Sequence, residues 1–430
     1  MKKLITILGL STLPFISFAQ AGHIMQGVGA TNMSMGGAAT AQPLDISGAL
    51  QWNPAAISAF NSTILSVNAG AFFSSPVLSS TVPTSQGPFS GVTNDARGAS
   101  IMPALAMVWG NKNSKHTFGV SVFGISGFGV TFPENNQNPI NMPQSSGGFG
   151  RIESNYELMQ VGLTYSYKIT EQLSVGVQPN FDYSELNLAP NPLSSPSQTK
   201  GYPVSNEASA LGFGGQLGLF YNSGEGIKLG VSYKTTQSFS SFDFKNTYLD
   251  GSTAPNAKFK MNYPAILSAG IGYSIDKVDL ALDYRFVNYT NTAGFEQKGW
   301  TSTAAVAGFG WKDMSVVSAG IQYKGIDKFP LRFGYTYSSN PINPALAFFS
   351  TPATAVIKNA FQFGFGHPFS KLLTFNAVYH HGSSDGSTSG PMLSPMAITA
   401  SNPNGAVPGS NVSYKMSTDL VMIGLDFTLK

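Results

Sequence analysis

The residue types able to do chemistry are few and scattered. Five histidines occur, His23, His116, His367, His380 and His381, and there is no cysteine. Without cysteine, disulfides, thiolate metal sites and a lipidated cysteine anchor are excluded. His380-His381 puts two imidazoles side by side, but adjacent residues of a strand point to opposite faces and cannot share a metal there. No G-x-S-x-G, H-E-x-x-H or P-loop sequence occurs. Nor does any convincing Ser/His/Asp set. These residues point away from an enzyme, and neither a cofactor nor a metal is expected. What remains is a group of charges at alternating positions: Asp182, Lys228, Lys234, Asp279, Asp283, Arg285, Arg332 and Asp426. Paired or hydrated, they are structural. An unpaired cation among them could hold a ligand carboxylate, and Arg285 and Arg332 are the candidates by sign and expected facing. Asp283 stands two residues from Arg285 on the same face, placed to neutralise it.

The elements that must position these charges read as strands. Met159, Val161, Leu163, Tyr165 and Tyr167 alternate with Gln160, Gly162, Thr164 and Ser166. Leu280, Leu282, Tyr284 and Phe286 alternate with Asp279, Ala281, Asp283 and Arg285. This is a period of two, with one apolar face and one polar or tiny face. The connections alternate in length. Short ones recur at 169–172, 222–225, 274–277, 325–328 and 368–371. Long ones span about 132–150, 187–206, 238–257, 289–310, 339–358 and 383–414. Tyr165, Tyr221, Tyr273, Tyr323 and Phe369 flank the short turns, as aromatic residues do at a membrane–water boundary. About 14 strands are expected, the first near 62–73 and the last near 415–430. Residues 74–99, rich in Ser, Pro, Thr and Gly, read as a long loop.

Composition decides which side the apolar face takes. Charged residues are 10% of the chain, against about 25% in soluble proteins. Aromatics reach 12%, yet after the first residues no apolar run is long enough for a membrane helix. An antiparallel transmembrane β-barrel with an apolar outer band fits both facts. A secreted all-β adhesin is the soluble alternative. Residues 1–21 read as a signal peptide: Lys2 and Lys3, an apolar stretch over 4–18, then Ala19 and Ala21 around Gln20. Without Lys2 and Lys3, 22 basic residues face 21 acidic ones, so charge gives no case for nucleic acid.

Two stretches break the pattern. Residues 35–55 are Gly/Ala-rich and interrupted by Pro43 and Pro54, unfit for a strong helix or strand. A wall of fourteen strands encloses more space than its own side chains fill, and this stretch is the expected plug. In the third strand Phe118, Val120 and Val122 are apolar at even positions, then Phe123 and Ile125 at odd ones, amid Gly124, Gly127 and Gly129. A bulge or kink would do this, as would a strand buried between wall and plug.

Taken together, Gly36, Gly37, Ala38, Ala41, Asp45 and the run Asn53-Pro54-Ala55, with the signal, the strand count and a last strand carrying Gly424, Phe427 and Leu429, resemble the FadL family of outer-membrane transporters for long-chain fatty acids and other hydrophobic compounds. The resemblance covers the mature chain apart from 74–99 and 383–414. It implies an all-β fold, a fourteen-stranded barrel (62–430) plugged by an N-terminal hatch (22–61), in the outer membrane of a Gram-negative bacterium. It implies passive uptake through a loop groove, an internal site and a lateral opening at a kinked third strand, around Phe123, Gly124, Gly127, Phe128 and Gly129. Asn53, Pro54 and Ala55 are then hatch residues near the wall. The expected partners are a hydrophobic small molecule, outer-membrane lipid and lipopolysaccharide, and the barrel-assembly machinery; the barrel is expected to be a monomer. A general or small-solute porin, or a barrel-type adhesin, is the competing reading.

Overall fold

The period of two becomes strands that form one closed wall. The computed structural model describes residues 20–429, so the signal peptide expected at 1–21 lies almost wholly outside them. Fourteen long strands make the wall. They are β1 (Thr63–Thr84), β2 (Ala99–Trp109), β3 (His116–Phe132), β4 (Ile152–Lys168), β5 (Leu173–Ala189), β6 (Ala208–Asn222) and β7 (Ile227–Lys234). The second half is β8 (Ala265–Ile275), β9 (Val278–Asn288), β10 (Met314–Tyr323), β11 (Leu331–Ser338), β12 (Asn359–Pro368), β13 (Leu373–Ser383) and β14 (Asn411–Leu429). Each pairs antiparallel with the next in sequence, and β14 returns to β1 from Leu429↔Thr63 to Asn411↔Thr81. Closure gives every strand a paired neighbour on both sides, which is what a spanning sheet requires in hydrocarbon.

The apolar face points outward. Leu163, Val177, Leu217, Leu282 and Phe363 are exposed, while Gln160, Gln178, Gln216, Asp283 and Gln362 on the alternate face are buried. Such an inside-out wall is stable where the surrounding solvent is lipid. No helix among the described residues is long and apolar enough to cross a membrane.

Two sequence expectations change. Residues 74–99 are not a loop throughout: β1 runs on to Thr84 and folds back through Gly87–Asn94, and its upper part also pairs with β14 as far as Asn411. One face of this extension, with Leu78 and Ser80, is buried, and the other carries Ser75, Ser79 and Thr81 at more exposed positions; the polarity marks the end of the lipid band, not of the sheet. The long segment at 238–257 likewise carries strands, Phe242–Thr247 paired with Thr253–Phe259 and with Val204–Ser205 in a small sheet among the loops.

Residues 22–58 are nearly all buried. They hold α1 (Ala30–Ser34) and α2 (Ile46–Trp52). The stretch judged unfit for a helix contains one because α2 fits between Pro43 and Pro54, with the Asp45 side chain accepting from Gly48 N at 3.3 Å as N-cap. Its backbone lies directly against inward-facing wall glycines. A Cβ on Gly218 would overlap Asn53 Oδ1, and one on Gly334 would overlap the Gly36 nitrogen.

Strand pairing uses only backbone groups, so Gly218→Leu should leave the barrel able to form. Its side chain occupies the place of Asn53, at a cost of at least about 1–3 kcal/mol. Limited proteolysis of the folded protein should therefore cut the N-terminal segment of Gly218→Leu and spare that of the parent. Equal resistance in the two would mean that the close approach is not what holds the segment.

Candidate functional site

The sequence-marked motif residues converge on one internal layer. Asn53 closes α2 with its backbone N–H on Ala49 O, then caps the short helix Pro54–Ala59 by accepting from Ala55 N at 3.1 Å. Its Nδ2 donates to Thr40 O at 2.8 Å and to Leu219 O of β6 at 2.9 Å. One amide thus joins two helices, a turn and the wall. Pro54, at the first helical position, gives up an N–H that has no helical partner anyway. Ala55 O accepts from Ser166 Oγ of β4 at 3.1 Å.

Gly36 and Gly37 take φ of +69° and +77°, a region that favours glycine. Thr336 Oγ1 of β11 donates to Gly36 O at 2.9 Å. The Gly37 carbonyl accepts from Arg285 Nη2 at 2.5 Å, and Ala38 is buried just beyond. Ala39 N and Thr40 N both donate to Asp283 Oδ2, at 2.9 Å each. Arg285 is itself bound to Asp283 at 2.8 Å and stacks on the Trp52 ring, 3.7 Å from its centre. Arg332 donates to Gln322 Oε1 at 2.7 Å and Asn376 Oδ1 at 3.0 Å. Both guanidiniums named as candidates for a ligand carboxylate are thus held by the protein's own groups, Arg285 by Asp283 as its spacing implied. His380 is buried beside Gln362 and His381 is outside with Asp419, on opposite faces as strand geometry requires.

In the third strand the bulge and the burial occur together. The β2–β3 ladder ends at Ala104↔Phe123, and the β3–β4 register shifts between Gly124 and Ser126. Beyond the shift Phe128, Val130 and Phe132 turn inward and are buried. The edge that β3 loses to β2 is met from within. Ile24 pairs with Ser126, and His23 O accepts from Ser126 Oγ at 2.7 Å and Gly127 N at 2.9 Å. Higher up, Ala96 N donates to Thr131 O at 2.8 Å, and Arg97 lies against Gly129 and donates to Ser154 O at 2.9 Å and to Asn155 Oδ1. The split in the wall therefore has a floor, an inner lining and a roof.

Sequence reasoning missed the aromatic cluster behind this split. The His23 ring lies 4.7 Å from Phe295, 5.4 Å from Tyr289 and 5.9 Å from Trp311, and its Nδ1 is 2.7 Å from the Tyr289 hydroxyl. Phe128 joins through Tyr156 at 5.0 Å. Burial alone pulls the His23 imidazole down to about 3, so it is neutral. The available signal was Tyr289, Phe295 and Phe309 recurring across a stretch read only as a loop, with Trp311 directly after it. Outside the cluster the loops enclose a groove of about 700 Å³. Its apolar residues Leu193, Phe259 and Val306 also line a small void that reaches Phe128 and Phe309.

The family described as outer membrane protein transport protein (OMPP1/FadL/TodX) matches residues 16–415. A search of curated proteins finds no match. Among solved structures, the Pseudomonas putida toluene transporter TodX superposes with a TM-score of 0.68 at 17% identity, over 94% of this chain and 99% of that one. A Pseudomonas aeruginosa FadL homologue gives 0.72 at 13% identity, over 95% and 100%. The Ralstonia pickettii toluene transporter TbuX gives 0.63 at 17%, over 94% and 99%. At these identities the likeness is one of fold.

The seat of α2 carries its own pH signature. Burial, and then the charge of Asp426, raise the Asp45 carboxyl to about 7, against the N–H of Gly48 and the charge of Arg332. The buried, folded state favours the neutral acid, so this contribution to docking is complete below about pH 4, where the free carboxyl protonates. It is lost as pH rises towards 7. Protease resistance of the N-terminal segment should decline between pH 4 and 7, and Asp45→Asn should flatten that part of the profile. An unchanged profile in the variant would assign the dependence elsewhere.

Proposed function

This chain belongs to the outer membrane protein transport family (OMPP1/FadL/TodX), outer-membrane channels for hydrophobic compounds and not enzymes, and from that premise we propose that it takes up long-chain fatty acids or hydrocarbons passively and releases them sideways through the wall. The observation that carries the reading is the split between β2 and β3, backed by the aromatic cluster around His23. The proposed route starts in the loop groove. It narrows at Leu193, Phe259 and Val306, passes Phe128, and leaves at Gly124–Gly129. The groove mouth also carries Lys258, Lys260, Glu296 and Lys298, but from Leu193, Phe259 and Val306 inward an apolar molecule stays against apolar side chains, so transfer needs no energy source. The split supports a lateral exit because it lies level with Tyr183, which pairs with Met159, itself paired with Gly124; these mark the outer boundary of the exposed apolar band.

In this reading residues 22–61 act as a hatch, with Gly36, Gly37, Ala38, Asp45, Asn53, Pro54 and Ala55 fixing it to the wall. They fill the bore that a general porin keeps open, which favours the carrier over the porin. The likeness to toluene transporters and to a FadL homologue supports hydrophobic cargo of either kind.

Purified protein in nanodiscs should bind a fluorescent fatty acid or an aromatic hydrocarbon above the level of empty discs. In planar bilayers it should be almost silent. Asn53→Ala removes two donated hydrogen bonds, about 1–3 kcal/mol, and should weaken binding and raise conductance together. Steady ion conductance with no binding of any apolar ligand would overturn the proposal.

A further inference from the structure

A second cluster of polar groups lies inside the wall and takes no part in seating the N-terminal segment. Lys234, at the end of β7, is 3% exposed. Its ammonium meets one acceptor, Gln160 Oε1 at 2.9 Å, and faces the Tyr263 ring 6.0 Å away. Gln160 Nε2 donates in turn to Asp182 Oδ1 at 2.7 Å. Asp182 is close enough for its charge to act on the hydroxyls of Tyr156 and Tyr263. A lysine offers three donors and a carboxylate several acceptor positions, so this chain of bonds is far from saturated. Asp182 Oδ2, the Tyr156 hydroxyl and His23 Nε2 are buried and have no hydrogen-bond partner among the described residues. The apolar void ends at Phe128, whose ring packs at a tilt against Tyr156 with centroids 5.0 Å apart and so stands between the void and these groups.

The chemistry of these groups ranks ligands. A hydrocarbon entering here leaves every one of them unpartnered. A carboxylate is drawn to Lys234 but meets Asp182, whose charge Lys234 already offsets, and it must also shed its own hydration. A hydroxyl does both things the cluster asks: it donates to Asp182 Oδ2 and accepts from Lys234 or Tyr156. The rings of Tyr156, Tyr263 and His23 then cover an aromatic body. We propose that Lys234, Asp182, Gln160 and Tyr156 form a recognition site for hydroxylated hydrophobic molecules, phenols foremost, preferred over hydrocarbons and carboxylates of the same size. This rests on the uptake reading above and names the ligand class within it.

Three near-isosteric probes test it: p-cresol, p-xylene and p-toluate, titrated calorimetrically into protein in nanodiscs, with empty nanodiscs correcting for partition into lipid. In the unaltered protein p-cresol should bind roughly tenfold or more tightly than either of the others, the scale of one hydrogen bond to a charged group. Removing one member of the pair strands the other charge, so the informative variant is the double one, Asp182→Asn with Lys234→Met, checked for folding by heat-dependent migration of the barrel on gels. It should bind p-xylene more tightly than the parent does, since the buried charges a hydrocarbon leaves unanswered are gone, and bring p-cresol within about twofold of it. Equal or tighter binding of p-xylene by the parent, tightest binding of p-toluate, or a p-cresol preference that survives in the folded double variant would overturn the inference while leaving hydrophobic uptake standing. Should none of the three probes bind, nor any other apolar ligand, the uptake reading falls and this inference with it.

Discussion

A wall of fourteen strands encloses more room than its inward side chains can fill, and the rest of this structure follows from how that room is occupied. The filler, residues 22–58, is mostly small residues. It packs by bringing its backbone up to the wall, and buried backbone N–H and C=O groups must all be answered. The wall answers with side chains at inward positions of its strands. Asp283 takes two successive N–H groups, Arg285 and Thr336 take two successive carbonyls, and Asn53 reaches back to Leu219. Inward glycines such as Gly218 and Gly334 make the approach short enough for these bonds to form.

That arrangement explains why charge is spent in a lumen where it costs most. Asp283 and Arg285 are 1% and 2% exposed at the side chain and 2.8 Å apart. Taking such a pair from water costs several kcal/mol per ion, and the attraction between them does little more than offset it. The pair gains by serving others. Each partner also binds the N-terminal backbone, and the guanidinium lies over the ring of Trp52, the last residue of α2. Its worth lies in register: one position of the segment satisfies all these groups, and a shifted one leaves buried charge without a partner.

Much of this was legible beforehand, and the reason is periodicity. Alternation over long runs fixed the strands, their facing and the inward charges from Asp182 to Asp426, because a one-residue error in phase would reverse the whole face. The Asn53-Pro54-Ala55 run and the phase change at Phe123 were visible as breaks in pattern. What could not be read was partnership across large separations. Asp283 was legible as the neutralising neighbour of Arg285, but the guanidinium's backbone partner, Gly37, was not, because it lies 248 residues away in sequence. The aromatic cluster was hidden for the same reason: His23 and Tyr289 are 266 positions apart, and a loop Trp or Phe carries no periodic sign that it turns inward. Residues 74–99 misled differently, since polar composition reports the solvent around a strand and not its hydrogen bonding.

The split in the wall and the seating of the N-terminal segment are two views of one constraint. A strand that parts from its neighbour exposes donors and acceptors that must be met again. β3 leaves β2 after Phe123, and its freed edge is taken over by His23 and Ile24 below and by Ala96 above. His23 thus does two jobs at once: its carbonyl holds Ser126 and Gly127, and its ring sits among Tyr289, Phe295 and Trp311. In the proposed route, a ligand that competes for those rings competes with the residue that lines the opening. Binding within the cluster and release of the β3 edge then draw on the same contacts. Occupancy of the internal site can shift the population of the open wall by as much as the ligand prefers the state in which His23 has moved aside.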